Sequence, residues 1–280
     1  MTGAVRLIVN ADDFGIAEAV NRGVAEAFDR GIVKSASIMA TGDAFDHAVE
    51  LARARPSLAV GVHLVLTEHR PLVAGANAVT LTGADGKFHA HVIDLARAQW
   101  RGAIDLDAVR EELDAQIRCV QGAGLRIGHL DGHQHVHALP GVARIVAELA
   151  AAHGIRAVRF PLERVRGYML RSPGGAWRLV EQLALQLACA RSPLEPLRRA
   201  DHFVGFFFGG RLHEDHLAIV LAALPAEGTV ELMCHPGHAD MMGGEHWRYA
   251  WAAECAALTS PRIRDLLEAR GVQLVSSKDA

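Results

Sequence analysis

The sequence predicts an α/β fold with a parallel sheet, and a distorted (β/α) barrel of the TIM-like type is the first choice. Apolar strand-like runs alternate with amphipathic helices along 280 residues, and this alternation is typical of parallel sheets. One barrel fits a chain of this length, and no Pro/Gly/Ser-rich linker divides it. We therefore expect a single domain over 1–280, with seven or eight strands and long active-site loops. A doubly wound open sheet is the alternative.

The first half of the chain supplies three of the predicted strands. They are apolar runs at residues 7–9, 33–39 and 59–66. Apolar residues recur at helical spacing from Ile16, and Pro56 ends the second predicted helix. Over residues 67–103 the apolar residues follow neither helical nor strand spacing, which predicts a long loop excursion after the third strand. Loops of this length are usually functional or disordered.

The second half continues the alternation and supplies five more strands. These are predicted at residues 126–130, 155–160, 202–208, 229–233 and 272–275. Helical spacing predicts helices at 104–120, after Pro140, at 177–190, at 214–223 and from Pro261. The remainder of 162–200 is irregular, so it is a second candidate loop region.

Composition excludes several classes of protein. The net charge is -3, which gives no electrostatic case for a nucleic-acid partner. The four cysteines are far apart, so neither a zinc ribbon nor a disulfide framework is predicted. No signal-peptide segment opens the chain, and no apolar run approaches the ~20 residues that span a bilayer. We expect a cytoplasmic protein, with peripheral contact at the inner membrane surface left open. The sequence indicates no oligomeric state.

An acidic pair, Asp12 and Asp13, directly follows the first apolar run. Two adjacent carboxylates at the end of an interior strand are costly to bury unless a cation or hydrogen-bond donors compensate. A solvated loop with an Asp helix cap is the alternative reading.

Histidines at other predicted strand ends favour the buried reading. The carboxyl ends of parallel strands share one face, so residues remote in sequence meet there. One carboxylate and two imidazoles form a three-ligand metal set that leaves positions open for water or substrate. Asp13, His63 and His133 can supply that set, with Asp12 as general base and His235 as general acid.

The segment that contains His133 holds further candidates. His133 and His137 are four residues apart and would share one helix face, so His137 is a rival ligand or a substrate contact. His135 is expected to turn away. Asp131 joins His137 as a residue expected beside the ligands or the substrate.

Four segments together resemble the YdjC/ChbG family of carbohydrate deacetylases. They are LIVNADDFG at 7–15, GVHLVLT at 61–67, HLDGHQHVH at 129–137 and ELMCHPG at 231–237. The resemblance implies a deformed (β/α) barrel, one divalent metal ion and removal of an acetyl group from an N-acetylated amino sugar. It implies the same roles for Asp13, His63 and His133 as ligands, Asp12 as base and His235 as the His of the CHP motif. Zn²⁺ or Mg²⁺ is expected, with Mn²⁺, Fe²⁺ and Co²⁺ open.

The Arg159-Phe160-Pro161 segment is similar to the Arg-x-Pro motif of the related polysaccharide deacetylases. In that group the Arg pairs with the catalytic base. A cation at this position would hold Asp12 ionised and oriented. A strand-end Arg in a surface ion pair is the alternative.

Two later segments, 154–163 and 202–212, resemble the hopanoid-biosynthesis-associated HpnK branch of the family. That branch implies an N-acetylglucosaminyl hopanoid, a glycolipid, as the substrate. Apolar residues over 162–190 and Phe206–Phe208 could flank a lipid, although such a stripe is more often core. Chitooligosaccharide deacetylation is the second choice. A metal-dependent phosphoesterase and a non-catalytic sugar- or lipid-binding protein are the rivals from other classes.

Overall fold

Seven parallel strands form the sheet of the computed structural model, which describes residues 4–74, 79–172, 175–190, 192–194, 197–238 and 249–279. The strands are β1 (Arg6–Phe14), β2 (Ser35–Ile38), β3 (Ala59–Leu64), β4 (Ile127–Gly132), β5 (His202–Val204), β6 (Thr229–Cys234) and β7 (Gln273–Val275). Six of them follow the order β4-β3-β2-β1-β6-β5, and β7 pairs with β1. β1 is thus the central strand, with three partners.

The parallel α/β prediction is confirmed, but the complete TIM-like barrel is not. In the described part of the chain the strand path is open between β4 and β5. The strand expected at 155–160 forms only isolated bridges, in which Val158 pairs with Leu130 and Ala157 with Arg198. Pro161 has no N–H to extend this ladder. These single pairs link β4 to residues 157–158 and on to Arg198, which lies outside β5, so they do not close the sheet.

The strand expected at 202–208 is also shorter than predicted. β5 ends at Val204, and Gly205 then adopts a φ of 108°, a conformation that only glycine reaches readily. Phe206, Phe207 and Phe208 therefore lie in a turn that follows the strand.

Ten α-helices occur in the described residues and flank the strands. They are α1 (Glu18–Asp29), α2 (Phe45–Arg53), α3 (Val92–Trp100), α4 (Leu106–Gly122), α5 (Val142–Ala152), α6 (Gly167–Arg171), α7 (Ala176–Cys189), α8 (Glu214–Ala222), α9 (Trp251–Thr259) and α10 (Pro261–Ala269). α3 lies inside the excursion for which the sequence predicts no period. α9 is apolar on most sides (WAAECAALT), so no helical period marks it in the sequence.

Helix α1 packs tightly against the chain that follows β6. A Cβ atom added at Gly23 would lie only 2.4 Å from the Cα of Gly237. This glycine therefore lets the helix press on the His235-Pro236-Gly237 turn. The contact fixes the height of that turn above the sheet.

Candidate active site

A cavity of about 290 Å³ opens at the carboxyl ends of the central strands. β1 contributes Asp12 and Asp13, β3 contributes His63, and the turn after β4 contributes His133. His235 enters from the end of β6. The structure thus brings the five predicted metal and catalytic residues together, although they are spread over more than 220 positions of the sequence.

An irregularity in β1 places both carboxylates of the acidic pair on the cavity. Successive residues of a regular strand point to opposite faces. The register of β1 against β2 shifts between Ala11 and Phe14, and Asp13 has a φ of 61°. Bulges of this kind re-aim side chains. Asp12 and Asp13 consequently share one space while being only 2% and 3% exposed.

The three predicted ligands offer a compact set of donor atoms. Asp13 Oδ1 lies 2.9 Å from His133 Nδ1 and 3.3 Å from His63 Nε2. The ligand atoms of the three residues lie within 4.8 Å of one another. Two imidazole nitrogens and one carboxylate oxygen are a donor set that suits a catalytic divalent ion with open positions.

The outer nitrogen of each imidazole faces a carboxylate. His63 Nδ1 is 2.8 Å from Asp131 Oδ1, and His133 Nε2 is 3.0 Å from Glu68 Oε2. A proton held on each outer nitrogen directs the lone pairs of the inner nitrogens of His63 and His133 at the position of an ion. The residues present therefore fit a divalent metal.

The charges of the cluster also fit a cation. Burial lowers the pKa of His63, but the surrounding carboxylates, Asp131 first, raise it to about 10. Burial likewise lowers the pKa of His133, and Asp13 and Glu68 raise it to about 9. Burial raises the pKa of Asp13, yet the two imidazoles hold it well below its usual range. The site thus stabilises positive charge, which protons and a metal ion would compete to supply.

A second group of possible ligands, Asp12, His63 and Asp131, overlaps the first. Arg159 already occupies it, because its guanidinium lies 2.5 Å from an Asp12 oxygen and 3.0 Å from an Asp131 oxygen. A metal ion there would be repelled by the guanidinium charge. The set around Asp13 is the better metal site.

Arg159 is 1% exposed and joins three acids. It binds Asp12 through two hydrogen bonds of 2.5 and 2.7 Å, and its Nε donates to Glu231 at 2.7 Å. Burial lowers its pKa, but Asp12, Asp131 and Glu231 raise it well above the usual value. The structure places Arg159 in the buried contact with Asp12 that the Arg-x-Pro resemblance implies, and not in a surface ion pair.

The fully buried carboxylate of Glu254 holds the backbone of His235 in place. The N–H groups of His235 and Leu212 donate to the two oxygens of this carboxylate, at 2.7 and 3.1 Å. His235 Nδ1 lies 3.7 Å from Glu254 Oε2, beyond hydrogen-bond length but close enough for its charge to act. Burial lowers the pKa of His235, but the Glu254 carboxylate, with smaller contributions from Asp13 and Asp12, raises it above its usual value.

The His133–Ala138 segment differs from the helix that spacing predicts. It is a 3₁₀ turn in which Gln134 and His135 have left-handed φ values of 50° and 57°. His133 and His137 therefore do not share an α-helix face. His137 Nε2 lies 3.1 Å from the Arg159 carbonyl oxygen, and burial lowers the pKa of this imidazole to about 4. The expectation that His135 turns away is wrong, since its ring lines the cavity 5.5 Å from that of Phe206.

Three acidic residues at the site were missed by sequence reasoning: Glu68, Glu231 and Glu254. Glu231 and Glu254 are 7% and 0% exposed. Burial raises the pKa of Glu231 and Arg159 opposes this. Glu68 directly follows the GVHLVLT segment and Glu231 opens the ELMCHPG segment, so their positions at these motifs were the available signals. Nothing in the spacing of Glu254 links it to His235.

Helices α3 and α7 form the outer wall of the cavity. The residues they contribute are His91 (the α3 cap), Val92, Ile93 and Ala96, then Arg178, Glu181, Ala184, Leu185 and Ala188. An adjacent face of α7 is apolar and open to solvent, with Trp177, Val180, Leu183 and Leu187 exposed by 64%, 53%, 49% and 78%. None of the helices in the described part of the chain is long and apolar enough to cross a membrane.

Comparison with known proteins identifies relatives over nearly the whole chain. The model of the family described as YdjC-like protein matches residues 6–269. A carbohydrate deacetylase of Homo sapiens is 37% identical over 98% of this chain and 91% of its own. One of Clostridium beijerinckii is 30% identical over 98% and 100%. A crystal structure from Enterococcus faecalis, described as a proposed cellobiose-phosphate cleavage protein, superposes with a TM-score of 0.77 at 26% identity, covering 99% of each chain.

Proposed function

This chain belongs to the YdjC-like protein family, and we propose that it is a metal-dependent carbohydrate deacetylase that hydrolyses the N-acetyl group of an amino sugar. The reaction adds water to the acetamide carbonyl carbon and breaks the C–N bond, which gives acetate and a free amine. The observation that carries the proposal is the joint placement of a three-ligand set, a candidate base and a candidate acid around one cavity.

The ligand set has one task in this scheme. Asp13, His63 and His133 would hold the ion, and Zn²⁺ is our first choice and Mg²⁺ the second. When bound, a divalent ion supplies positive charge that polarises the carbonyl oxygen and acidifies a water molecule.

Asp12 accepts the proton of the attacking water. Its two hydrogen bonds to Arg159 hold the carboxylate in one orientation at the cavity wall. Each oxygen of an ionised carboxylate has more than one acceptor site, so these contacts leave capacity for the proton. Arg159 also places a positive charge beside Asp12, in a buried ion pair that keeps the carboxylate at the cavity wall.

His235 donates a proton to the departing nitrogen. The nearby Glu254 raises its pKa, so the protonated imidazole is favoured. His235 lines the cavity, and the hydrogen bond from its backbone to Glu254 fixes the turn that carries it. Acid and base thus act from different strands, β6 and β1.

The substrate we propose is an N-acetylglucosaminyl hopanoid, with a chitooligosaccharide such as diacetylchitobiose as the second choice. The apolar residues in the wall formed by α3 and α7 support the glycolipid, because they would contact a hydrocarbon group attached to the sugar. The exposed apolar face of α7 supports peripheral contact with the membrane in which such a lipid resides.

Mass spectrometry of the two substrates after incubation with enzyme and Zn²⁺ or Mg²⁺ tests this proposal. We expect the glycolipid to lose one acetyl group and diacetylchitobiose to change little. Loss of an acetyl group from diacetylchitobiose alone would show that the substrate is the oligosaccharide and not the glycolipid. Release of phosphate from phosphorylated sugars, with no acetate from either compound, would favour the phosphoesterase. Binding without turnover would favour a carbohydrate-binding protein.

A further inference from the structure

Glu68 contacts His133, a proposed metal ligand, on the side of the imidazole ring that points away from the metal position. Its Oε2 is 3.0 Å from His133 Nε2, whereas the other nitrogen of that ring, Nδ1, faces Asp13 at 2.9 Å. Glu68 therefore contacts the ligand through the nitrogen that does not face the cluster. We propose that Glu68 is a positioning residue. It accepts a hydrogen bond from the Nε2–H group of His133 and so keeps the Nδ1 lone pair directed at the metal ion. The inference rests on the metal site of the proposed function.

His63 provides an independent parallel for this arrangement. Its Nδ1 faces Asp131 at 2.8 Å, and its Nε2 faces Asp13 at 3.3 Å. Each of the two imidazoles thus has one carboxylate on its outer nitrogen and the shared Asp13 on its inner nitrogen. Partners of this kind fix the tautomer and ring orientation of metal-binding histidines. Glu68 supplies for His133 what Asp131 supplies for His63.

The backbone of Glu68 is a second, separate observation. Four non-glycine residues in the described chain have positive φ values, namely Asp13, Glu68, Gln134 and His135. Asp13 and His135 line the cavity, and so does Gln134. Glu68, at a φ of 65°, is the fourth. Such conformations are unfavourable for residues with a side chain and cluster at functional sites, which places Glu68 with the other three.

Hydrogen bonds on both sides hold this conformation. Glu68 N–H donates to the His89 carbonyl at 2.9 Å, and His69 N–H donates to the Thr67 carbonyl at 2.7 Å. Phe88 N–H in turn donates to the His69 carbonyl at 2.9 Å. The strand exit is therefore tied to the segment that leads into α3. As a result, the carboxylate of Glu68 reaches His133 from a fixed backbone.

Zinc titration of the metal-free protein, by competition with a chromogenic chelator, tests the role. In Glu68→Gln the carboxylate becomes a neutral amide of the same size, and we expect zinc affinity to fall roughly ten- to hundredfold. Glu18→Gln changes an exposed carboxylate on α1 and should bind zinc as the wild type does. A Glu68→Gln affinity within about twofold of the wild type would overturn the proposal.

Nitrogen NMR of the zinc-loaded protein gives a readout that general destabilisation would not move. We expect wild-type His133 to bind zinc through Nδ1 and to carry its proton on Nε2, whereas part of the Glu68→Gln protein should bind zinc through Nε2 and carry the proton on Nδ1. A wild-type proton on Nδ1 would overturn the proposal. If Glu68→Gln does not fold, Glu68→Asp tests the same role. Its side chain is one methylene shorter, so the carboxylate lies farther from His133 and zinc binding should weaken. Failure of the wild type to bind any metal would refute the metal site itself, whatever the Glu68 variants do.

Discussion

Asp12 and Asp13 are neighbours in sequence with different partners in the fold. Asp12 pairs with the buried guanidinium of Arg159, and Asp13 faces the imidazoles of His63 and His133. The sequence predicted these five residues from motifs, and the structure brings them together. Glu68 contacts His133 and Glu254 contacts His235. Only the fold reveals these pairs, because neither acid lies at a sequence spacing that links it to its histidine.

Replacing Asp12 by Asn should remove turnover without removing the ion. A general base contributes about 10²–10⁴-fold to the rate, so acetate release should fall by that factor, while zinc affinity stays near the wild-type value because the set around Asp13 is intact. Initial rates and a zinc titration measure the two effects. Circular dichroism should confirm folding, since Arg159 loses a charged partner but keeps two others.

Asp29→Asn is the matched control for this change. Asp29 forms a partly exposed ion pair with Arg55 outside the cavity, and its removal should leave the rate unchanged. Near-normal turnover in Asp12→Asn would show that Asp12 is not the base.

At the scale of elements, two irregular turns decide the site. The shift in β1 and the left-handed turn at His133–Ala138 aim the functional side chains. The four-residue spacing of His133 and His137 predicts one face of a regular helix. Left-handed conformations are commonly signalled by Gly or Asn. Gln134 and His135 give no such signal, which is why the turn could not be predicted.

Gly23→Ala should displace His235, the proposed general acid, because α1 packs on the turn after β6 that carries this residue. The new methyl group would overlap the backbone of Gly237, and overpacking of this kind costs about 1–3 kcal/mol. We expect a lower free energy of unfolding in urea and a reduced kcat. Gly122→Ala, in α4, meets nothing within 4 Å and should be neutral or stabilising. Equal behaviour of the two variants would contradict the proposed contact.

Glu163 makes the turn after β5 sensitive to pH. Its carboxylate accepts the N–H groups of Gly205 and Phe207 at 3.2 and 2.9 Å. Burial raises its pKa from 4.5 to about 7 and outweighs these hydrogen bonds. Between these two values the folded state retains a proton that the unfolded state releases, so stability falls as the pH rises through this window.

Glu163→Gln should remove this dependence. Urea unfolding at pH 4.5 and pH 8 should show that the wild type loses up to about 3 kcal/mol more stability than the variant as the pH rises. Glu148→Gln changes an exposed carboxylate and should follow the wild type. Parallel pH curves for wild type and Glu163→Gln would refute the raised pKa.

At the scale of the whole molecule, the alternation of strands and helices predicted a parallel sheet but not its degree of closure. Closure depends on segments such as 155–160, which are apolar enough to be strands yet make only single bridges. The apolar residues of α7 divide between the cavity and the solvent-exposed face. The sequence shows that α7 is rich in apolar residues, but it could not predict which of them line the cavity and which face the solvent.

Binding to liposomes tests the exposed face of α7. Trp177→Gln combined with Leu187→Gln should weaken sedimentation with phospholipid vesicles by about tenfold or more, since burying each side chain in lipid is worth roughly 1.5–3 kcal/mol. Ile219→Gln, at a partly exposed position on α8, should sediment like the wild type. A wild-type protein that stays in the supernatant would exclude the membrane contact.

The central claim is metal-dependent deacetylation, and acetate release measures it most directly. The wild type should release one acetate per free amine formed from the N-acetylglucosaminyl substrate. A chelator should abolish the release, and added Zn²⁺ or Mg²⁺ should restore it. Acetate release that continues undiminished in the metal-free protein, or no acetate with any ion, would contradict the account.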